Sequence, residues 1–569
     1  MYISPYYWNN KYKNMFNSCC NYLNISNCQI FYPIFTLFFK IYNNQNSNKI
    51  IDLDRRYIFQ NFIGQKDKFK EEESYTSNKI ILANILDNKL KITLQKEIFI
   101  KQLSILDINH IILNNYNLLY KKNPLLPSKY NYTTYNKINN LDNSCYLDCF
   151  FSFIVGKIVE KNILPNFPEY YGCINGINSH NLDITEDIHD YESSDFFEKS
   201  LNKIFEINVY TNNDKYLQEN NIIIKNNVRN THSSISNIDD CVVDDIKNDT
   251  CEGIDDNIGD DIDDNMGVDT GVDTGVDTGV DMGVDTDEEI DGDDIDEEID
   301  GDDIDEEIDG DDTGDDDDTG DDTDEEIEDD YIIKFKNIPV ICLFIEKLEG
   351  TLEDLLNIDT YNINILLSCF FQISYALSYL QKHYDFLHND LHINNIMYVK
   401  TNIKYLYYNL NNKYFQVPTH GYIFKIIDYG RCIFNFKGRL YFNDSFSKHG
   451  EATSQYDHKT INNKPFNPNY SFDLCRLSTT ILDELNEFDE KENIKACELE
   501  LHNNFIDLLL NILKDDNKEY IYDGTNNTFQ LYIDITNKAI NGVPKDIINN
   551  DIFKLFITQK FEDKKYYTL

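Results

Sequence analysis

The stretch FLHNDLHINNIMYV, at residues 386–399, decides the fold. It places Asp390 two residues after His388, and Asn395 five residues after Asp390. A long helix with one apolar face is predicted just before it, over residues 362–383. Taken singly, Asp390 is typical of a carboxylate that caps a turn, and His388 of a buried core histidine. The spacing of the three residues together favours a functional loop.

A second motif, KIIDYGR at residues 425–431, follows after strand-like sequence. Together and in this order, the two motifs resemble the HxDxxxxN catalytic loop and the DFG segment of protein kinases and related phosphotransferases. Tyr429 takes the Phe position of that segment. Because phosphoryl transfer needs a metal-neutralised triphosphate, the resemblance implies ATP and Mg²⁺ as cofactors, with Mn²⁺ as a substitute metal.

The resemblance also implies a role for each motif residue. Asp390 would orient the acceptor hydroxyl and accept its proton, and Asn395 would bind a second Mg²⁺. Asp428 would bridge Mg²⁺ to the β- and γ-phosphates. Gly430 would permit the backbone turn just past this metal ligand, and His388 would support the loop.

Two further stretches fall where the resemblance predicts them. LFIEKLEGTLEDLL, at residues 343–356, resembles the hinge, with Ile345 at the gatekeeper position and Glu346 to Leu348 offering backbone groups to adenine. An ordinary connection from strand to helix has the same pattern. In SFDLCRLSTTILDEL, at residues 471–485, Asp473 would bind backbone amides and hold the catalytic loop rigid. It could equally be an ordinary helix-start residue.

The lysine that binds ATP is harder to place. EIFIKQLSILD, at residues 97–107, resembles the strand that presents it, which selects Lys101. Asp148 falls, within a helix predicted over residues 144–161, where kinases carry the glutamate that pairs with this lysine. Aspartate is one methylene shorter, so the helix must approach more closely. The alternative for Lys101 is a solvated lysine on an edge strand.

The family that the chain most resembles is a group of kinase-like proteins of giant nucleocytoplasmic DNA viruses. The resemblance covers roughly residues 95–177 and 338–485 and implies an α+β, bilobal, protein-kinase-like fold. Its small lobe is strand-rich with one main helix, and its large lobe is mostly helical. The shared motifs are HNDLH-x-NNIM at His388 to Met397, FIK at Phe99 to Lys101, YxDxFF at Tyr146 to Phe151 and NFPxYYG at Asn166 to Gly172.

Three departures from the kinase pattern bear on function. Gly64 is the only glycine between Met1 and Val155, so no glycine-rich phosphate loop is present. Either a low nucleotide affinity or a differently built lid over the phosphates is expected. His392, which we include in the catalytic set, replaces a lysine of Ser/Thr kinases and resembles aminoglycoside- and choline-type phosphotransferases. Asn389 replaces the arginine that clamps an activation-loop phosphate, so phosphorylation there should not be the switch.

Three functions fit these motifs. The first is a divergent protein kinase that transfers the γ-phosphate of ATP to Ser or Thr of a protein substrate. The second is a pseudokinase or scaffold that binds nucleotide without turnover, motivated by Asp148 and by the missing glycine loop. The third is a small-molecule phosphotransferase, which is favoured by His392 but not by the hinge-to-helix layout. Retention of Asp390, Asn395 and Asp428 argues against the second.

The sequence predicts an insertion within the small lobe. Its acidic tract, at residues 239–330, contains tandem GVDT and DEEIDGDD repeats. These repeats cannot bury enough apolar surface to fold, so the tract is expected to be disordered. The predicted segments are an N-terminal extension at 1–48, the first part of the small lobe at 49–177, the insertion at 178–330, the last small-lobe strand and hinge at 331–348, and the large lobe at 349–569.

The net charge of -49 is concentrated in this insertion. Residues 239–330 hold 47 of the chain's 100 acidic residues and one lysine, which leaves 53 acids against 50 Lys and Arg elsewhere. No nucleic-acid partner is expected from so neutral a remainder. The acidic tract is expected to attract basic proteins or to bind cations loosely.

Cysteine usage and the apolar stretches bear on the compartment. The 13 cysteines include no CxxC pair, which indicates reduced thiols rather than a zinc site. The start of the chain lacks the layout of a signal peptide, and the apolar stretch at residues 29–42 is too short to cross a membrane. A cytosol-like reducing compartment is expected, namely the host cytoplasm or the virion for a viral protein, without a membrane partner.

Overall fold

The computed structural model describes residues 13–29, 55–63, 77–113, 136–185, 188, 191, 195–210, 330–357, 360–448, 450–456, 466–486, 498–522, 524 and 529–569. Several predictions fall outside these residues. They concern the segment around Gly64, the apolar stretch after Gln29, and the acidic repeats up to residue 329.

An antiparallel sheet of seven strands forms the first part of the described fold. The strands are β1 (Ser26–Gln29), β2 (Tyr57–Phe62), β3 (Lys79–Asp87), β4 (Ile92–Ser104), β5 (Tyr170–Asp183), β6 (Phe205–Tyr210) and β7 (Asp330–Glu346). Their order is β1–β5–β7–β4–β3–β2, and β6 also pairs with β7. The β-branched runs that predict strands lie in β3 and β4.

The helices of this part are α1 (Lys13–Leu23), α2 (Ile108–Ile112), α3 (Ser144–Glu160) and α4 (Asp195–Ser200). The two faces of β4 pack into different cores. Ile98 and Ile100 are buried in one core with residues of α1, whereas Phe99 and Leu103 pack against the core that contains α3. Because side chains alternate along a strand, Lys101 shares the face of Phe99 and points toward α3.

The second part of the fold combines helices with short strands. Its helices are α5 (Glu353–Leu356), α6 (Ile363–Tyr384), α7 (Phe472–Asn486), α8 (Leu499–Ile512), α9 (Phe529–Lys538) and α10 (Pro544–Ile547). Its strands are β8 (Gly350–Thr351), β9 (Ile396–Lys400), β10 (Tyr405–Leu410), β11 (Lys413–Pro418), β12 (Tyr422–Ile426), β13 (Ile433–Phe436), β14 (Arg439–Phe442), β15 (Ile557–Thr558) and β16 (Tyr567–Thr568). Short 3-10 turns lie at Ile393–Asn395, Asp444–Phe446 and Asp551–Phe556.

Helix α6 is the central element of this second part. It begins after Asn362, whose side chain accepts a hydrogen bond from the Asn364 amide. By length and composition α6 could cross a membrane, with a mean hydropathy of 1.5. However, 83% of its apolar window is buried inside the protein, which is the setting of a core helix.

The α+β class is confirmed, and so are the predicted helices that became α3 and α6. The adjacent asparagines in KYLYYNLNNKYFQV, at residues 404–417, also predict a hairpin, and β10 and β11 do pair across Asn411 and Asn412, whose φ angles are 50° and 68°. In contrast, ordered structure continues well past residue 178. Strand β5 runs to Asp183, and β6 pairs with β7 although its flanking sequence is polar. Strand β6 forms although it has no apolar run, because its backbone is hydrogen-bonded to the long strand β7.

Candidate functional site

Lys101 lies between two carboxylates from different parts of the chain. Its Nζ atom is 2.8 Å from Asp148 Oδ2 on α3 and 2.7 Å from Asp428 Oδ1, just after β12. Burial alone would lower the pKa of Lys101, but the two carboxylates raise that pKa well above its usual value. The lysine is therefore a fixed cation at the junction of strand, helix and loop.

The two carboxylates differ in their surroundings. The Asp148 side chain is 2% exposed, and burial raises its pKa. The Asp428 side chain is 41% exposed. Although burial acts to raise it, the pKa of Asp428 is lowered to about 2, mainly because the Lys101 ammonium favours the carboxylate. Asp428 is thus an ionised, open carboxylate beside a fixed cation.

Asp148 also fixes the segment that follows Asp428. Its Oδ1 atom accepts a hydrogen bond from the Tyr429 amide at 3.2 Å. The Tyr429 ring is buried, 5.0 Å from the ring of Phe151 on α3. The Asp148 side chain on α3 therefore contacts both Lys101 on β4 and the loop after β12. Helix α3 lies close enough to β4 for an aspartate to reach the lysine.

The backbone turn at this segment differs from the prediction. Asp428 itself adopts the left-handed region, with φ of 61°, whereas Gly430 does not. The Gly430 amide donates to Asp428 Oδ1 at 3.2 Å. A short polar side chain tolerates this backbone because it can form such a local hydrogen bond. The small size of Gly430 has another use, since a Cβ atom there would lie 3.2 Å from that same oxygen.

The backbone of the loop at residues 386–395 is hydrogen-bonded to α7. Asp473 accepts hydrogen bonds at 3.0 Å from the backbone amides of His388 and Asn389. His388 Nε2 donates to the Ile427 carbonyl at 2.8 Å, which joins this loop to the residue before Asp428. The structure therefore brings the two sequence motifs side by side.

Asn395 and Asp390 face each other across this loop. Asn395 Nδ2 donates a hydrogen bond to the Asp390 backbone carbonyl at 2.8 Å. The side-chain amide is thereby oriented, and Asn395 Oδ1 is its oxygen for accepting a hydrogen bond or binding a metal. The Asp390 side chain is 26% exposed. His392 precedes the short turn that carries Asn395, and burial lowers its pKa below the usual value.

The predicted hinge lies at the end of β7. Ile345 is buried on that strand, and Leu348 is buried in the connection after it. The Glu346 side chain is engaged by the protein itself, because its Oε2 atom accepts from Lys425 Nζ at 2.7 Å and from the Glu169 amide at 3.0 Å. The Glu346 amide also donates to the Glu169 carbonyl, at 3.0 Å, so both the side chain and the backbone N–H of this residue are engaged within the protein.

Sequence reasoning missed several contacts at the site. Tyr532 on α9 donates its hydroxyl to Asp390 Oδ1 at 2.9 Å, and Arg431 Nη1 lies 3.5 Å from the same atom. Asp444 accepts from the Ser144 amide, at the start of α3. Arg431 ends the quoted motif KIIDYGR but received no role there, and the motifs give no signal for Tyr532 or Asp444, because each lies far in sequence from its partner.

Comparison with known proteins gives a partial relationship. No family model matches the chain. A segment of 88 residues is 35% identical to the serine/threonine-protein kinase haspin of Mus musculus. That segment is 16% of this chain and 12% of haspin. The match indicates a kinase-like relationship over this segment.

Proposed function

We propose that the chain is an ATP-dependent protein kinase with a divergent bilobal fold, transferring the γ-phosphate to Ser or Thr hydroxyls of proteins. The observation that carries the proposal is Lys101 held between Asp148 and Asp428. In protein kinases a strand lysine pairs with an acid of the small-lobe helix, and the aspartate of the DFG segment holds the metal. The motif resemblance to kinase-like proteins of giant DNA viruses supports the same class.

The donor chemistry fits a metal-bound triphosphate. Carboxylate and amide oxygens are ligands that Mg²⁺ prefers. Asp428 and Asn395 would hold the metal, and Lys101 would hold the phosphates. Bound Mg²⁺ would neutralise charge on the β- and γ-phosphates. Ile345 and the backbone after it would border the adenine.

The acceptor side of the reaction belongs to the loop held by Asp473. The Asp390 carboxylate would accept a hydrogen bond from the acceptor hydroxyl and take its proton as the hydroxyl oxygen bonds to the γ-phosphorus. The bond from that phosphorus to the β–γ bridging oxygen would break, and ADP would leave. Two backbone hydrogen bonds to Asp473 keep the loop from moving during this step. Rigid support of this kind orients the reacting hydroxyl.

Transfer from γ-³²P-labelled ATP, with Mg²⁺, tests the proposal. Dephosphorylated casein and myelin basic protein serve as protein acceptors, and choline and kanamycin as small-molecule acceptors. We expect protein to be labelled, and Asp390→Ala and Asp428→Ala to abolish the labelling. Labelling of the small molecules alone would assign the chain to small-molecule phosphotransferases. Nucleotide binding without transfer would make it a scaffold, as the absence of a glycine-rich loop suggests.

A further inference from the structure

The Asp390 carboxylate is held by two side chains remote from the loop that carries it. The Tyr532 hydroxyl donates to Asp390 Oδ1 at 2.9 Å, and Arg431 Nη1 lies 3.5 Å from the same oxygen. Arg431 is itself anchored, because its Nε atom donates to Glu451 Oε1 at 3.2 Å. Both contacts to Asp390 fall on Oδ1 and neither on Oδ2.

The Tyr532 ring is fixed in place. It stacks on Phe529, with ring centroids 5.7 Å apart and an interplanar angle of 17°. Arg476 Cζ lies over the ring at 5.0 Å from its centroid. Arg476 follows Asp473 by one turn of α7, so the helix that holds the loop backbone also supports this tyrosine.

We propose that Tyr532 and Arg431 are positioning residues for phosphoryl transfer, an inference that rests on the proposed function. They hold Asp390 Oδ1, so that Oδ2 is presented to the acceptor hydroxyl. The Tyr532 ring is packed within a helix, which favours this role over that of a phosphate acceptor. An acceptor hydroxyl must be able to move into line with the γ-phosphorus and its leaving oxygen.

Kinetics of the 569-residue chain with labelled ATP and casein test the role. Loss of a hydrogen bond to a charged group corresponds to about a tenfold effect on rate. We expect Tyr532→Phe to lower kcat about tenfold, with the KM for ATP changed less than twofold. Arg431→Lys should retain more activity than Arg431→Met. The matched control is Tyr522→Phe, which removes a 2.6 Å hydrogen bond to Asp483, near the end of α7 opposite Asp473, and should keep the wild-type kcat.

A thermal-unfolding cycle gives a readout that does not depend on activity. Tyr532→Phe should lower Tm in the wild-type background but not beside Asp390→Ala, because the hydroxyl has then lost its partner. Equal Tm losses in both backgrounds, an unchanged or raised kcat, or phosphate found on Tyr532 by mass spectrometry would each overturn the positioning role. If wild-type protein labels no acceptor while the Tm losses differ, the proposed function fails and the contact to Asp390 stands as structural only.

Discussion

Asp444 Oδ1 accepts a hydrogen bond from the Ser144 amide at 3.0 Å, at the first residue of α3. The other carboxylate oxygen, Oδ2, accepts from Lys137 and Asn140 at 2.9 Å each. A carboxylate at a helix N-terminus satisfies a free amide and complements the helix dipole. Because α3 carries Asp148, this contact helps to set the position of the acid that pairs with Lys101.

Asp444→Ala should therefore loosen α3 and weaken nucleotide binding. Loss of a carboxylate at a helix N-terminus costs about 1 kcal/mol, and the Lys137 ammonium loses its partner as well. We expect a lower free energy of unfolding in urea and weaker binding of Mg²⁺-ATP in calorimetry. Asp551→Ala removes an exposed ion pair with Lys554 and should leave both unchanged. Wild-type ATP affinity in Asp444→Ala would contradict the link to α3.

Replacement of Lys101 should be costly for stability as well as for activity. Lys101→Met leaves the buried Asp148 without its cation, which costs about 3 kcal/mol for a buried pair. Adding Asp148→Asn removes the orphaned charge, so the double variant should regain part of this loss in urea unfolding. Lys347→Met, which breaks an exposed pair with Glu97, should change stability by less than about 0.5 kcal/mol. A double variant no more stable than Lys101→Met would argue against the pairing.

The sequence was informative where structure depends on local chemistry. Adjacent asparagines predicted the tight hairpin turn, and the resemblance of EIFIKQLSILD to the lysine-bearing strand of kinases selected Lys101. Contacts across long separations left no local pattern. Tyr532 follows Asp390 by 142 residues, and nothing in the sequence around it differs from an ordinary amphipathic helix. The left-handed backbone at Asp428 was not predicted either. Glycine is the residue that adopts this conformation most readily, so the sequence pointed to Gly430 instead.

The charge on Asp428 should make stability depend on pH in the acid range. Its pKa is lowered from 3.8 to about 2, so its contribution is present above about pH 4 and is lost as pH falls toward 2. The free energy of unfolding of wild-type protein should exceed that of Asp428→Asn most at pH 6 and by less at pH 3. Urea unfolding at both values measures this difference. A difference that grows on acidification would mean that Asp428 is not stabilised as a carboxylate.

Residues 211–329, the part of the predicted insertion between β6 and β7, should be removable without loss of the fold. Tyr210 pairs with Asp330 at the last described residue of β6 and the first of β7, so residues 211–329 leave and re-enter the sheet at one point. Replacing them with the turn Gly-Asn-Gly-Ser joins β6 to β7 as a short hairpin. The entropic cost of closing this four-residue turn is lower than that of closing the natural connection. We expect an unchanged Kd for Mg²⁺-ATP and a Tm at least as high as that of the full chain. A matched variant with the same four residues in place of 411–412 changes a turn that is already tight, and should lower Tm. Loss of Mg²⁺-ATP binding on removal of 211–329 would show that this segment contributes to the proposed nucleotide binding.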